Sequence, residues 1–281
     1  MSPWGAGAGP GLDAFLQRPD LAAELAVIDA ETATLGLTPT EEIRVELPPR
    51  GSGRPAVLRG YQGLDAAGRK VHAVRVATAH GVVLAVGPLE AADLDRNKAT
   101  ELVPALLVGA GGEGGAFRSG SDLNGDGTLD VVLRNDLGAL SIWHLGELGS
   151  GLYPVTMATP PSRGIDVEGS GHIDLWGQLP ADPVDPLAPS FADVATFTGG
   201  AYSDDTPAAR AWHGREAARP PPTAVGDAAR LRAALERAWH AVLGGQAPEP
   251  VLKALRREPV PPRLRASFDL HVRTIAAITP R

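Results

Sequence analysis

The chain contains no cysteine. Disulfides, thiolate metal sites and thiol nucleophiles are therefore excluded. The compartment is left open, because a secreted protein can do without disulfides. No run approaches the ~18 consecutive apolar residues of a membrane span, so no transmembrane segment is expected. The opening Met-Ser-Pro-Trp-Gly-Ala-Gly has no basic stretch followed by an apolar one, and no signal sequence is visible in it. Catalytic signatures are missing too. There is no Gly-x-Ser-x-Gly elbow and no His-Glu-x-x-His pair, and the glycine-rich segment Gly109–Gly115 lacks the Lys-Ser/Thr partner of a phosphate loop.

What is present points to a globular protein rich in turns. The 281 residues are 43% hydrophobic and 21% charged, enough for a buried core. Gly 34 and Pro 26 make up about a fifth of the chain, which favours short strands and many turns. The net charge of −7 is unevenly spread: residues 207–281 carry 13 Lys and Arg against 6 Asp and Glu, leaving 13 basic and 27 acidic residues in 1–206. An acidic front and a basic tail suggest separate modules. The basic tail has its Arg residues around helices with no aromatic interleaving, which argues against nucleic acid as a partner.

The hydrophobic period changes twice along the chain. Leu21, Leu25 and Ile28 fall on one helical face after Asp20, predicting a helix that ends near Leu35–Gly36. From Glu42, alternation predicts strands at Ile43–Leu47, Ala56–Tyr61, Lys70–Ala77 and Gly81–Val86, with His72 as a pairing residue on a sheet surface. Further strands are expected over Asp130–Arg134, Ala139–Leu145 and Leu152–Met157, with Gly149-Ser-Gly151 as a turn. Gln178–Pro189 holds four prolines and reads as a linker or irregular loop. Thr206-Pro207 reads as an N-cap followed by proline at the first helical position. Asp227 is expected to cap the strongest helix, whose stripe is Leu231, Leu235, Trp239 and Val242. Trp239 and Phe268 read as core residues, and His213 and His240 as surface or capping residues. The organisation expected is α+β: an N-terminal helical segment (1–40), a mostly antiparallel β domain (41–198) and a C-terminal helical segment (199–281) packed on it.

The most informative stretch is 122–130, Asp-Leu-Asn-Gly-Asp-Gly-Thr-Leu-Asp. Asp122, Asn124, Asp126 and Asp130 alternate as oxygen ligands, and Thr128 would lend a backbone carbonyl. Ca²⁺ takes 6–8 oxygens in flexible geometry, and three carboxylates so close together repel unless a cation screens them. Two related loops follow the same spacing. One has Asp166, Glu168, Ser170 and Asp174, with the backbone carbonyl at His172. The other has Asp93, Asp95, Asn97 and Glu101, with Lys98 where the others have Gly127 and Gly171. Arg96 and Lys98 can neutralise that last loop without a metal. Ca²⁺ is therefore expected first at the Asp122 loop and next at the Asp166 loop, with the Asp93 loop as the weakest candidate. An EF-hand is excluded, because its bidentate Glu at position 12 is here Leu133.

Residues 118–158 resemble the FG-GAP or VCBS repeat, the calcium-loop repeat of integrin α-chain propellers and many bacterial surface proteins. The resemblance rests on the Asp122–Leu133 stretch and on Leu145-Gly-Glu-Leu-Gly-Ser-Gly-Leu-Tyr-Pro-Val, and extends over about residues 88–178. It implies β-propeller blades, most often seven. At about 40–60 residues per blade, the β region holds three or four, so a partial or small propeller is expected, with the helices covering its open edges. The function this implies is a calcium-binding, extracytoplasmic β-repeat module with a structural or partner-binding role, its partner a protein or glycan, without catalysis. A hydrolase-type enzyme with a site between the β domain and the helical tail is one alternative. A metal-free scaffold is another.

Overall fold

The computed structural model describes residues 19–47, 54–64, 68, 70–87, 106–107, 117–134, 138–146, 149–220 and 226–278. The chain divides into two compact units, Met1–Tyr153 and Pro154–Arg281. It is α+β, with mostly antiparallel sheets. The segment expected to be one β region, 41–198, supplies strands to both units.

In the first unit, helix α1 (Pro19–Thr34) leads into strands β1 (Leu37–Glu46), β2 (Pro55–Leu64), β3 (Lys70–Thr78) and β4 (Gly81–Val86). These form an antiparallel meander in chain order. A second meander follows, from β5 (Leu106–Leu107), β6 (Leu129–Arg134), β7 (Leu140–Gly146) and β8 (Gly149–Leu152). Side chains alternate across a strand, and the two faces of the first sheet have different duties. Ala56, Leu58, Val74, Val76, Leu84 and Val86 join Leu129, Val131, Leu133, Trp143 and Leu145 of the second sheet in one buried cluster. The opposite face places Tyr61, Ala73 and Ala77 against Ile28 of α1. That helix is also pinned by polar contacts. Arg59 pairs with Asp29 at 2.6 Å and with Glu42, and the Tyr61 hydroxyl donates to Asp29 at 2.8 Å.

With both faces covered, β3 is buried almost throughout, and this corrects the reading of His72. Its side chain is 7% exposed rather than on a sheet surface, and Nδ1 has no hydrogen-bond partner among the described residues. The expected turn at Gly149-Ser-Gly151 is instead strand β8. The Ser150 hydroxyl donates to the Val83 carbonyl at 2.6 Å, so the segment is held by the neighbouring sheet.

The second unit carries a five-stranded sheet in the order β10 (Pro161–Ile165), β11 (Asp174–Gln178), β12 (Ala192–Thr198), β13 (Ala201–Ser203) and β9 (Val155–Thr156). All its pairs are antiparallel except β13 with β9. The expected strand at 152–157 is therefore split: Leu152 closes the second sheet and Val155–Thr156 opens the third. Helices α2 (Pro207–Ala218), α3 (Asp227–Leu243), α4 (Pro248–Leu255) and α5 (Arg265–Ala276) follow. Thr206 caps α2 as expected, its hydroxyl accepting from Ala209 N–H at 3.1 Å with Pro207 next to it. The N-cap of α3 is Gly226, not Asp227, which lies in the first turn. Leu231, Leu235, Trp239 and Val242 are buried with Phe268, Val272, Ile275, Leu187 and Phe191. Trp239 stacks on Phe191 with ring centroids 4.6 Å apart, and its indole N–H donates to the Ala192 carbonyl at 2.7 Å. The proline-rich loop before β12 is irregular, as expected, and is tied to α5 through Asp185, which accepts from Ser267 and bonds His271 at 2.5 Å.

Candidate functional site

The Asp122 loop is a closed device. At its neck, Ser121 and Asp130 form an isolated β-bridge, with Gly120 N–H to the Asp130 carbonyl at 2.7 Å and Asp130 N–H to the Ser121 carbonyl at 2.9 Å. Ser119 clamps the entry by exchanging hydrogen bonds with Val132 at 3.1 and 2.9 Å. Within the loop, Asp122 accepts from Gly125 N–H at 2.8 Å and Gly127 N–H at 3.0 Å. Asn124 Oδ1 accepts from Asp126 N–H at 3.1 Å, and Asp126 Oδ1 accepts from Thr128 N–H at 2.8 Å. Leu123 N–H donates to Asp130 Oδ2 at 2.7 Å.

The Asp166 loop repeats this wiring. Asp166 accepts from Ser170 N–H at 3.0 Å and Gly171 N–H at 2.9 Å, Ser170 Oγ accepts from His172 N–H at 3.2 Å, and Val167 N–H donates to Asp174 Oδ2 at 3.1 Å. Position 1 thus accepts from position 6, and position 9 from position 2, in both loops. Positions 4 and 6 are glycine in both, and each sits at positive φ: Gly125 at 78° and Gly127 at 87°, Gly169 at 72° and Gly171 at 84°. L side chains avoid that region, which is why the spacing of the glycines matters as much as that of the acids. The Asp93 loop lies outside the described residues.

The last acid separates the two loops. Asp130 is fully buried, and its Oδ1 has no hydrogen-bond partner among the described residues. Burial, reinforced by Asp126 and Asp122 and opposed by the Leu123 N–H and the Tyr153 hydroxyl, pushes its carboxyl up to about 7. Asp174 is also raised, chiefly by burial, but the backbone amides of Val167 and Phe197 both support its charged form. The Asp122 loop is partly walled in, with Asn124 5% exposed, whereas Glu168, Ser170 and His172 are exposed.

Two residues beside the first loop carried no sequence signal. The Tyr153 hydroxyl donates to Asp126 Oδ2 and lies 3.0 Å from Thr128 Oγ1. His144, paired with Asp130 across β6 and β7, packs its ring 5.0 Å from that of Tyr153. Asp126 is lowered despite partial desolvation, by hydrogen bonds from Thr128 and Tyr153 and by the charge of His144. Among the described residues, no three His, Asp or Glu side chains are gathered into a ready metal cage. The loop carboxylates are turned instead onto their own backbone amides. The residues nonetheless fit a hard cation: all donors are oxygens, as Ca²⁺ requires, and the buried Asp130 Oδ1 lacks the partner that burial of a charge demands.

A second polar cluster lies in the other unit and corrects the reading of His213 and His240 as surface residues. His213 of α2 is fully buried and His240 of α3 is 8% exposed. His213 Nε2 is 2.9 Å from Asp193 Oδ1, and His213 Nδ1 is 2.9 Å from His240 Nδ1. Asp193 of β12 is fully buried and also accepts from Ala158 N–H at 2.5 Å and Val194 N–H at 2.7 Å. Burial, helped by the charges of His213 and Arg219, pushes His240 down to about 3.

No family model, no curated protein and no solved structure matches the chain. Among the described residues, no helix is long and apolar enough to cross a membrane.

Proposed function

We propose that this protein is a calcium-binding β-repeat module working outside the cytoplasm, with a structural or partner-binding role and no catalysis. The observation that carries the reading is Asp130 Oδ1, a fully buried carboxyl oxygen with no hydrogen-bond partner among the described residues, inside a loop that brings two more carboxylates to the same turn. Asp122, Asn124, Asp126, Asp130 and the Thr128 carbonyl would hold the ion, and the ion would screen charges that otherwise repel. The Asp166 loop is a second, more exposed site of the same plan. Each loop leads into a strand, β6 or β11, paired antiparallel with its neighbours, and we read these sheets as blades of a partial or small propeller. Calcium sites of extracellular modules bind with Kd of about 10⁻⁴–10⁻³ M, an affinity useful where Ca²⁺ is abundant.

The test is thermal melting with Ca²⁺, Mg²⁺ and chelator, on the parent protein and on Asp126→Ala. At a Ca²⁺ concentration of about 100 times Kd, the parent gains about 2.7 kcal/mol. Mg²⁺ gives a smaller gain, because it insists on octahedral geometry and keeps its waters. Asp126→Ala loses most of the response. An unchanged melting temperature in the parent would leave the loops as metal-free turns and end this reading.

A further inference from the structure

The Tyr153 hydroxyl enters the Asp122 loop from outside and meets two of its ligand positions. It donates to Asp126 Oδ2 at position 5 and lies 3.0 Å from Thr128 Oγ1 at position 7. Thr128 holds the other oxygen of the same carboxylate, its N–H at 2.8 Å and its hydroxyl at 2.6 Å both donating to Asp126 Oδ1. Asp126 is thus gripped at both oxygens, one by its own turn and one by a side chain 27 residues away. Asp122, by contrast, accepts at both oxygens from amides of the loop itself.

The phenol is placed by the second sheet of the same unit. Tyr153 N–H donates to the Ile142 carbonyl at 2.9 Å, which carries the β7–β8 pairing past Leu152. The residue is 4% exposed, and its ring packs against His144. His144 is paired with Gly151 across β7 and β8, where a Cβ would lie 2.5 Å from His144 Nε2. The glycine therefore leaves room for the imidazole that backs the Tyr153 ring.

Asp126 lies on the exposed side of the loop, so without the hydroxyl its Oδ2 would turn to water. A phenol is a neutral donor, and it fixes the carboxylate without cancelling its charge. Partners of this kind orient the groups that ligate a metal, and their loss costs about 10–100-fold in affinity. The Asp166 loop supplies an internal comparison. Its position 5 is Ser170, exposed, whose oxygen accepts from the His172 N–H within the loop.

We infer that Tyr153 is a positioning residue for the Asp122 loop, holding Asp126 in place for a bound Ca²⁺ and so setting the affinity of this loop alone. The inference rests on the calcium reading and adds to it the residue that governs one of the two sites.

The experiment is a Ca²⁺ titration of the full chain by NMR. The Gly127 and Gly171 amides report the two loops separately, and the hydroxyl-bearing ring carbon of Tyr153 reports the phenol. In the parent, that carbon is expected to shift with the same Kd as Gly127. Tyr153→Phe keeps the ring and removes only the hydroxyl. With its β6 and β7 amide signals in place, it should raise the Kd at Gly127 at least about tenfold and leave that at Gly171 unchanged. The ring-carbon measurement uses the parent alone and so does not depend on the variant folding. A Gly127 Kd in Tyr153→Phe that is unchanged or lower, equal weakening at both loops, or a Tyr153 carbon that stays fixed while Gly127 moves would each overturn the inference and leave the calcium reading standing. No response at Gly127 in the parent up to about 20 mM Ca²⁺ would end both.

Discussion

Asp130 concentrates the physics of the first loop in one side chain. Its carboxyl is raised from an ordinary 3.8 to about 7 by burial and by the neighbouring Asp126 and Asp122, against the Leu123 N–H and the Tyr153 hydroxyl. A carboxyl raised in the folded state binds more protons folded than unfolded between those two values, so stability falls as pH rises through that window. In chelator, the protein is therefore expected to lose stability between pH 3.8 and about 7. The loss is on the order of 4 kcal/mol, at about 1.4 kcal/mol per pH unit. Asp130→Asn removes the charge, so urea unfolding at pH 8 should show it as more stable than the parent in chelator, with the Ca²⁺ response of the β6 and β7 region lost. A variant less stable than the parent under those conditions would contradict the role given to the unpartnered oxygen. The acids of these loops were legible in the sequence because ligand spacing is a local property, set by neighbours within nine residues. Tyr153 was not, because it stands 27 residues from the Asp126 it contacts and meets it only through the pairing of β6, β7 and β8.

At the scale of elements, local signals worked where the chain acts alone. Thr206-Pro207 starts α2 because a hydroxyl satisfies an orphan amide and proline needs none. The stripe on α3 reads as buried because its period matches the helix. Strands β8, β10, β12 and β13 were missed or misplaced. Of these, β8, β10 and β13 are short or rich in glycine and small residues, and their pairing partners, not their own propensity, hold them extended. Trp239 joins the two kinds of element, stacking on Phe191 and bonding the Ala192 carbonyl at the start of β12. Trp239→Ala is expected to destabilise the second unit by about 3–5 kcal/mol, from the cavity and the lost burial. Chemical denaturation followed by α3 and β12 amide signals measures it. A loss below about 1 kcal/mol would mean that the helices do not depend on this anchor.

For the whole molecule, the two units carry opposite acid responses. His240 is lowered from 6.5 to about 3, so the unfolded chain binds a proton that the folded second unit does not. Its contribution to stability is present above pH 6.5 and is lost as pH falls toward 3. Asp130 works the other way in the first unit. Hydrogen exchange in chelator, corrected for intrinsic rates, should therefore show the β6 and β7 amides better protected at pH 5 than at pH 8. Amides of β12 and α3 should be less protected at the lower pH. A uniform change across both units would exclude these two side chains as the governing groups.

The sequence by itself determined the loops, the excluded thiol chemistry, the major helices and the mixed α+β class. Each rests on spacing within a few residues, where hydrogen bonds and periodicity are local. Tertiary structure alone decided that Asp130 has an oxygen unpartnered among the described residues while Asp174 has two backbone donors. It also decided that Asp193, His213 and His240 meet, although β12, α2 and α3 are separated by turns and helical length. The physical reason is burial. A side chain's partners and its charge cost depend on what the fold places around it, and no neighbour in the chain specifies that.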